Sequence, residues 1–212
     1  MTTIIGDITM SLDGYVTGPD PDPAHGLGHD ADDLHAWALE SDADVDAEVL
    51  RSHSAASGAV VMGRRTWDTV DGPQGWSDEL GYGAREAAHE ATSFFVVTAT
   101  PPESVRLAVD VTFVTTPGEA VRRAREAAGP RDVFVMGGAA TLDSCLAEGL
   151  LDELRLHLSP ELLGSGTPLF AAVGRHRLVQ TGVAVSPVAV HLTYAVTRAT
   201  AASAVSTSAG SS

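Results

Sequence analysis

"VVMGRRTWD", residues 60–68, is the stretch on which the fold turns. Val60, Val61 and Met62 are a short apolar run of the kind that lies inside a sheet, and Gly63, Arg64, Arg65, Thr66 and Trp67 follow without a break. Such a run reads as a strand that ends at a glycine and turns straight into a helix. In parallel α/β sheets, ligands collect where strands end and helices begin. A second junction of the same kind lies downstream in "VFVMGGAATL", residues 133–142, where the strand ends at Met136 and Gly137–Gly138 lead into a helix.

Glycine lets backbone approach a ligand closely, and the N–H groups at a helix start favour an anion. Arginine adds a planar fork of donors matched to phosphate oxygens. Two such junctions predict a dinucleotide whose phosphates are held by two helix starts and at least one arginine. Each junction also has a plainer reading: Gly137–Gly138 as a tight turn, and the arginine pair as a solvated helix start pairing with Asp68.

The remaining pattern supplies the sheet around them. Strands are expected at 3–10, 59–62, 93–98, 111–115 and 132–136. "ELRLHLS", 153–159, alternates, with Leu154, Leu156 and Leu158 on one face and Arg155, His157 and Ser159 on the other, a face that alternation alone reads as exposed. Residues 176–185 and 188–196 read as a hairpin with Ser186 and Pro187 near its turn. "TPGEAVRRAREAAGP", 116–130, carries Thr116 as N-cap, Pro117 at the first helical position, Glu119 to complete a capping box, and Gly129–Pro130 as the stop. A second helix is expected over 139–148 with Leu142, Cys145 and Leu146 inward, and a third from near Asp33 toward Ser52. Strands alternating with helices, closed by a hairpin, predict a mainly parallel α/β sheet with antiparallel strands at its C-terminal end. Residues 1–199 read as one domain, and 200–212, "TAASAVSTSAGSS", as a disordered tail without a large apolar face.

Composition narrows the partners. At 212 residues the chain can bury roughly 70% of its unfolded surface without disulfide or metal. Its formal net charge of −15 repels nucleic acid and anionic lipid at long range. All 13 basic residues are arginines. The lone Cys145 rules out an internal disulfide and fits a reducing, cytoplasmic setting. The first residues do not read as a signal peptide, and no apolar run reaches the length of a membrane span. His25, His29 and His35 stand among acidic residues in "HGLGHDADDLH", where glycines at 26 and 28 argue against a helical metal site; they read as a solvated loop, so no metal is expected.

"VVMGRRTWD" followed by "VFVMGGAATL" resembles the dihydrofolate reductase fold, in which Gly-Arg-x-Thr-Trp and Gly-Gly turns bind NADPH. "TMSLDGYVTG" at 9–18 and "GLLDELRLHLSPELLGSGTPLF" at 149–170 resemble more closely the reductase domain of the bifunctional riboflavin-biosynthesis deaminase–reductase and its stand-alone bacterial relatives. The resemblance implies a three-layer fold, with a central eight-stranded, mainly parallel sheet flanked by helices. It implies that Gly63, Arg64, Arg65 and Thr66 face the phosphates of NADPH, with an arginine near the 2′-phosphate, and that Gly137, Gly138, Ala139, Ala140 and Thr141 receive the pyrophosphate. It implies further that Thr98 lies by the adenosine and that Asp13 and Gly14 sit in a loop closing over the nicotinamide.

Dihydrofolate reductases also carry a carboxylate after the first loop; here Asp30, Asp32 and Asp33 are candidates, and a buried Asp33 would assist protonation. No Cys-x-x-Cys is present to hold the zinc of a deaminase domain. Trp76 and Tyr82, in the loop 72–83, would cover a planar ring or pack over the sheet edge, and the resemblance implies that the strand face of Arg155 and His157 borders the substrate cleft. The expected function is an NADPH-dependent reductase of a small heterocycle, pterin- or pyrimidine-like, working as a homodimer. The alternative is a non-catalytic nucleotide-binding module of the same fold.

Overall fold

The computed structural model describes residues 2–22, 25–73, 75–77, 81 and 92–197. Tyr82 and the segment 200–212 therefore lie outside the described residues. Eight strands form one sheet in the order β5-β4-β3-β6-β1-β7-β10-β9. They are β1 (Ile4–Ser11), β3 (Ser57–Gly63), β4 (Ser93–Val97), β5 (Val111–Val114), β6 (Asp132–Val135), β7 (Glu153–Ser159), β9 (Leu178–Val185) and β10 (Val190–Val196). Every pairing from β5 across to β7 is parallel, and β7–β10 and β10–β9 are antiparallel.

Helices cover both faces, which is why Val60–Met62, Phe94–Val97 and Val133–Val135 run apolar rather than alternating. On one face α4 (Pro117–Ala128) and α5 (Ala139–Ala147) bury Ala120, Val121, Ala124, Leu142, Cys145 and Leu146 against Ile4, Val61, Val133 and Val135. On the other, Trp67 and Val70 of α3 (Arg64–Val70) pack with Ile5, Val60, Met62, Phe94 and Phe134. The Thr116 hydroxyl accepts from the Glu119 N–H at 3.2 Å, the expected cap of α4. The hairpin turn is closed by Ser186, whose Oγ accepts from the N–H groups of Val188 and Ala189.

Two features depart from the sequence reading. The helix expected from Asp33 to Ser52 is broken into a 3-10 turn (Asp32–His35), the single turn α1 (Ala36–Leu39) and α2 (Asp44–Ala56). Ser41 fixes the break: its hydroxyl donates to Asp46 at 2.5 Å and accepts from the Ala43 N–H at 3.2 Å. Asp44 and Asp46 then fall in the first turn of α2, where the helix dipole favours negative charge. The second departure is a small antiparallel pair, β2 (Tyr15–Thr17) with β8 (Thr167–Pro168), too short to leave an alternation in the sequence.

Candidate functional site

The two glycine-bearing junctions meet. β3 and β6 are parallel neighbours, so their C-terminal ends lie together, and the Gly63 N–H donates to the Gly137 carbonyl at 2.9 Å. Gly63 has φ −83°, which any residue adopts, so space rather than conformation demands glycine there. A Cβ on it would stand 2.5 Å from Thr141 Oγ1. Gly137 has φ +101°, a conformation few side chains tolerate, and the peptide to Gly138 is cis. A Cβ on Gly138 would lie 3.3 Å from Thr66 Oγ1. Each hydroxyl thus faces the other junction's glycine, and Ala139, Ala140 and Thr141 open α5 behind Gly138.

The two arginines divide. Arg64 Nε pairs with Asp68 at 2.7 Å, and its Nη1 donates to the Thr100 carbonyl. Thr98 Oγ1 donates to the same oxygen at 3.0 Å, so the end of β4 and the start of α3 share an anchor. The plainer reading of an arginine paired with Asp68 therefore holds for Arg64. Arg65 is exposed, and its guanidinium has no partner among the described residues.

Asp13 is engaged within the protein. It accepts from Ser11 Oγ at 2.6 Å, from the Gly164 N–H at 2.7 Å and from the Leu163 N–H at 3.1 Å. The Ser11 hydroxyl first, then those two N–H groups, hold its carboxyl below the usual range. Gly14, at φ +92°, turns the chain so that its carbonyl accepts from Leu169. The segments 9–18 and 159–170 are thereby joined into one loop pair at the C-terminal ends of β1 and β7.

Arg155 and His157 are placed differently from one another. Arg155 Nε pairs with Glu153 at 2.6 Å, and its guanidinium lies over the Phe134 ring, 5.5 Å from the centroid. His157, on the face that alternation reads as exposed, is buried at 2% exposure because α1 and α2 cover that face. The Trp37 ring packs on it at 4.3 Å between centroids, and Trp37 Nε1 donates to Thr9 Oγ1 at 3.0 Å.

Around His157 runs a chain of polar groups. Its Nε2 lies 3.2 Å from Asp7 Oδ1, and its Nδ1 lies 2.7 Å from His191 Nδ1. His191 Nε2 is 2.7 Å from Asp46 Oδ1, and His53 Nδ1 is 3.0 Å from Asp7 Oδ2. Burial pushes the Asp7 carboxyl up, but His53 and His157 together bring it well below its ordinary value. Burial lowers the His191 imidazole, against the raising contact with Asp46. A cavity of about 320 Å³ opens on this group, lined by His53, Arg155, His157, His191 and Thr193.

Asp33 is exposed, so the buried acid expected there is not at that position; among the described residues the buried carboxylates are Asp46 and Asp143. Its neighbour Glu161 has a raised pKa, first from burial and then from Asp33. Trp76 packs edge-on against Phe94 of β4 at 5.7 Å, the sheet-packing alternative. Four strand spacings, roughly 19 Å, separate β4 from β7, so Trp76 does not join Arg155 and His157. His25 and His29 are exposed and stacked at 4.4 Å, with Asp22 3.3 Å from His25 Nδ1. Asp7, His53 and His191 went unread in the sequence; the signal was polar residues at alternate positions of β1, Asp7, Thr9 and Ser11, in a strand covered on both faces.

Comparison with known proteins accords with this geometry. The family model of the RibD C-terminal domain matches residues 2–192. The chain belongs to that family. Among solved structures it is similar to a protein provisionally named for riboflavin biosynthesis, from Shewanella sp. PV-4, with TM-score 0.65, 24% identity, 93% of this chain and 100% of that one covered. It is similar also to RibD of Acinetobacter baumannii, with TM-score 0.63 and 16% identity, covering 93% of this chain and 59% of that one. A pyrimidine reductase-like protein of Corynebacterium diphtheriae gives TM-score 0.58 and 18% identity, with 93% of this chain and 92% of that one covered. At these identities the likeness shows the fold. No curated protein matches. As a RibD C-terminal domain, the chain is of a reductase-like family, and no helix among its described residues is long and apolar enough to cross a membrane.

Proposed function

We propose that this chain is an NADPH-dependent reductase of a small pyrimidine- or pterin-like heterocycle. The observation that carries the reading is the meeting of the two junctions. Gly63 and Gly138 form a cradle that a Cβ would fill, with Thr66 and Thr141 facing it and the start of α5 behind it. Such a cradle fits a pyrophosphate at a helix start. Arg65, exposed and unpartnered among the described residues, is placed to hold a further phosphate. Bound there, the cofactor supplies the hydride.

The chain's own residues position and shield. Asp13 ties its loop to Leu163 and Gly164 and so sets the wall beside the nicotinamide end. The substrate lies in the cavity lined by Arg155 and His157, whose volume suits one small heterocycle. One of the similar structures is named pyrimidine reductase-like, which supports the substrate class.

The test is titration of the purified chain with NADPH and NADH, followed by turnover assays on pyrimidine and pterin substrates. NADPH binding with substrate-dependent oxidation is expected. Binding without oxidation of NADPH by any of them would favour the non-catalytic nucleotide-binding module, and absence of binding would remove both readings.

We also propose a homodimer. β9 is the sheet edge, and Val183 and Val185 are exposed side by side on one of its faces, apolar surface that a second copy of this chain would cover. Light scattering that returns a concentration-independent monomer would remove this proposal.

A further inference from the structure

The chain Asp46–His191–His157–Asp7 has three close contacts, at 2.7, 2.7 and 3.2 Å, each joining two nitrogens or a nitrogen and a carboxylate oxygen. Each contact needs one cation between its two lone-pair atoms. With neutral rings and ionised carboxylates, His191 Nε2–H donates to Asp46, which leaves His191 Nδ1 as an acceptor. His157 Nδ1–H must then donate to it. The remaining nitrogen, His157 Nε2, carries a bare lone pair toward Asp7 Oδ1, and that contact is repulsive unless something positive stands there.

The other carboxylate oxygen tells the same story. Asp7 Oδ2 is buried and lies 3.0 Å from His53 Nδ1, so a second imidazole nitrogen meets the same carboxylate. Ligands held about 2.0–2.2 Å from one ion lie about 2.8–3.6 Å apart along the edges of an octahedron or a tetrahedron. The two observed separations, 3.0 Å from His53 Nδ1 to Oδ2 and 3.2 Å from His157 Nε2 to Oδ1, fall in that range, and one ligand atom from each of the three residues lies within 4.8 Å of the others.

We propose that Asp7, His53 and His157 form a site for a divalent transition-metal ion, with His191 and Asp46 holding His157 in the tautomer that ligates. Three elements supply the ligands: β1, α2 and β7. A divalent ion balances the charges of Asp7 and Asp46, whereas one extra proton would leave this group with a net negative charge. His191 linked to Asp46 is the hydrogen-bonded backing that metal-bound histidines commonly have. Two imidazoles and one carboxylate leave open positions, the pattern of zinc and non-haem iron sites at which a further ligand binds. Both His53 and His157 line the cavity, so those positions face it. This inference is independent of the nucleotide reading.

The test uses the untagged chain, stripped with chelator and titrated with Co²⁺, read by visible absorption and calorimetry. One Co²⁺ per chain is expected, displaced by Zn²⁺. His53→Ala, at a partly exposed helix position, should abolish the visible bands while circular dichroism stays unchanged. Asp46→Asn should weaken Co²⁺ binding about 10- to 100-fold. His25→Ala, in the exposed Asp22–His25–His29 group, should change nothing. Absence of Co²⁺ binding, binding indifferent to His53→Ala, or binding lost in His25→Ala would each overturn the proposal. Nitrogen-15 spectra of the histidines keep it testable if the Asp46 variant misfolds. In the zinc-treated wild-type chain His157 Nε2 should carry no proton, and a proton found on it would overturn the site.

Discussion

Gly63 and Thr141 face each other across the ends of β3 and β6, so closely that a Cβ on Gly63 would stand 2.5 Å from Thr141 Oγ1. Gly63→Ala must therefore displace Thr141 and the first turn of α5 with it. A misfit of this kind costs about 1–3 kcal/mol. Thermal melting should show the loss, and NADPH affinity should fall with it, because the displaced turn is the one proposed to receive the pyrophosphate. Thr141→Ala removes the obstructing hydroxyl, so the double variant should regain most of the melting temperature lost by Gly63→Ala alone. A double variant no more stable than the single one would show that the two residues are not in contact.

Much of this architecture was readable from the chain. Val60–Met62, Phe94–Val97 and Val133–Val135 are unbroken apolar runs because helices bury both their faces, and such runs are legible without any partner. The α4 cap at Thr116 is local chemistry, written in consecutive residues. What escaped depended on distant contacts. The break after α1 rests on Ser41 reaching Asp46, which composition alone does not distinguish from a helix interior. Alternation with leucines by itself puts His157 on an exposed face, yet the covering elements come from residues 36–56, far away in sequence. Asp7, His53 and His191 lie on three separate elements, and no spacing links them. Arg64 and Arg65 look equivalent as letters; only the fold brings Thr100 to one of them.

Asp13 gives a pH dependence whose sign is fixed. Its folded-state pKa is lowered by Ser11 Oγ, Gly164 N–H and Leu163 N–H, below the ordinary aspartate value of about 3.9. A carboxyl with a depressed folded pKa contributes its contacts fully above the unfolded value and loses them as pH falls through the folded one. The amide shifts of Leu163 and Gly164 should thus titrate with a midpoint below about pH 3.9. A midpoint above that value would contradict the assignment. Asp13→Asn, with one acceptor oxygen in place of two, should shift one or both amides at neutral pH.

Cys145 should be inert in the folded chain. It is fully buried in the α5 face of the core, and burial, then Glu148, pushes its thiol up to about 12. The thiolate is the reactive form, so a disulfide reagent at neutral pH should label it only through opening of the fold. Labelling in native buffer should be slow and should become immediate in denaturant. Rapid native labelling would place Cys145 outside the core. Cys145→Ser, which buries a hydroxyl among apolar neighbours, should cost about 1–3 kcal/mol unless a carbonyl accepts from it.

Arg64 and Arg65 should separate in function as they do in structure. Arg64 is tied to Asp68 and to the Thr100 carbonyl, which Thr98 also contacts, so its side chain joins α3 to the end of β4. Arg64→Ala should lower the melting temperature and weaken NADPH and NADH together, since it loosens the junction rather than one phosphate. Arg65 is the guanidinium left over, and in a chain of net charge −15 an approaching dinucleotide needs local positive charge. A charge-assisted hydrogen bond is worth about 1.5–3 kcal/mol, so Arg65→Ala should weaken NADPH binding roughly 10- to 150-fold. NADH, lacking the 2′-phosphate, should be nearly indifferent, and the melting temperature should hold because the guanidinium has no partner among the described residues. Calorimetric affinities for both cofactors, at two salt concentrations, decide between the residues. If Arg65→Ala leaves the ratio of NADPH to NADH affinity unchanged while Arg64→Ala collapses it, then Arg64 must exchange Asp68 for the phosphate on binding. If neither variant alters that ratio, the 2′-phosphate is read by no residue of this pair, and the cofactor reading stands on the Gly63–Gly138 cradle alone.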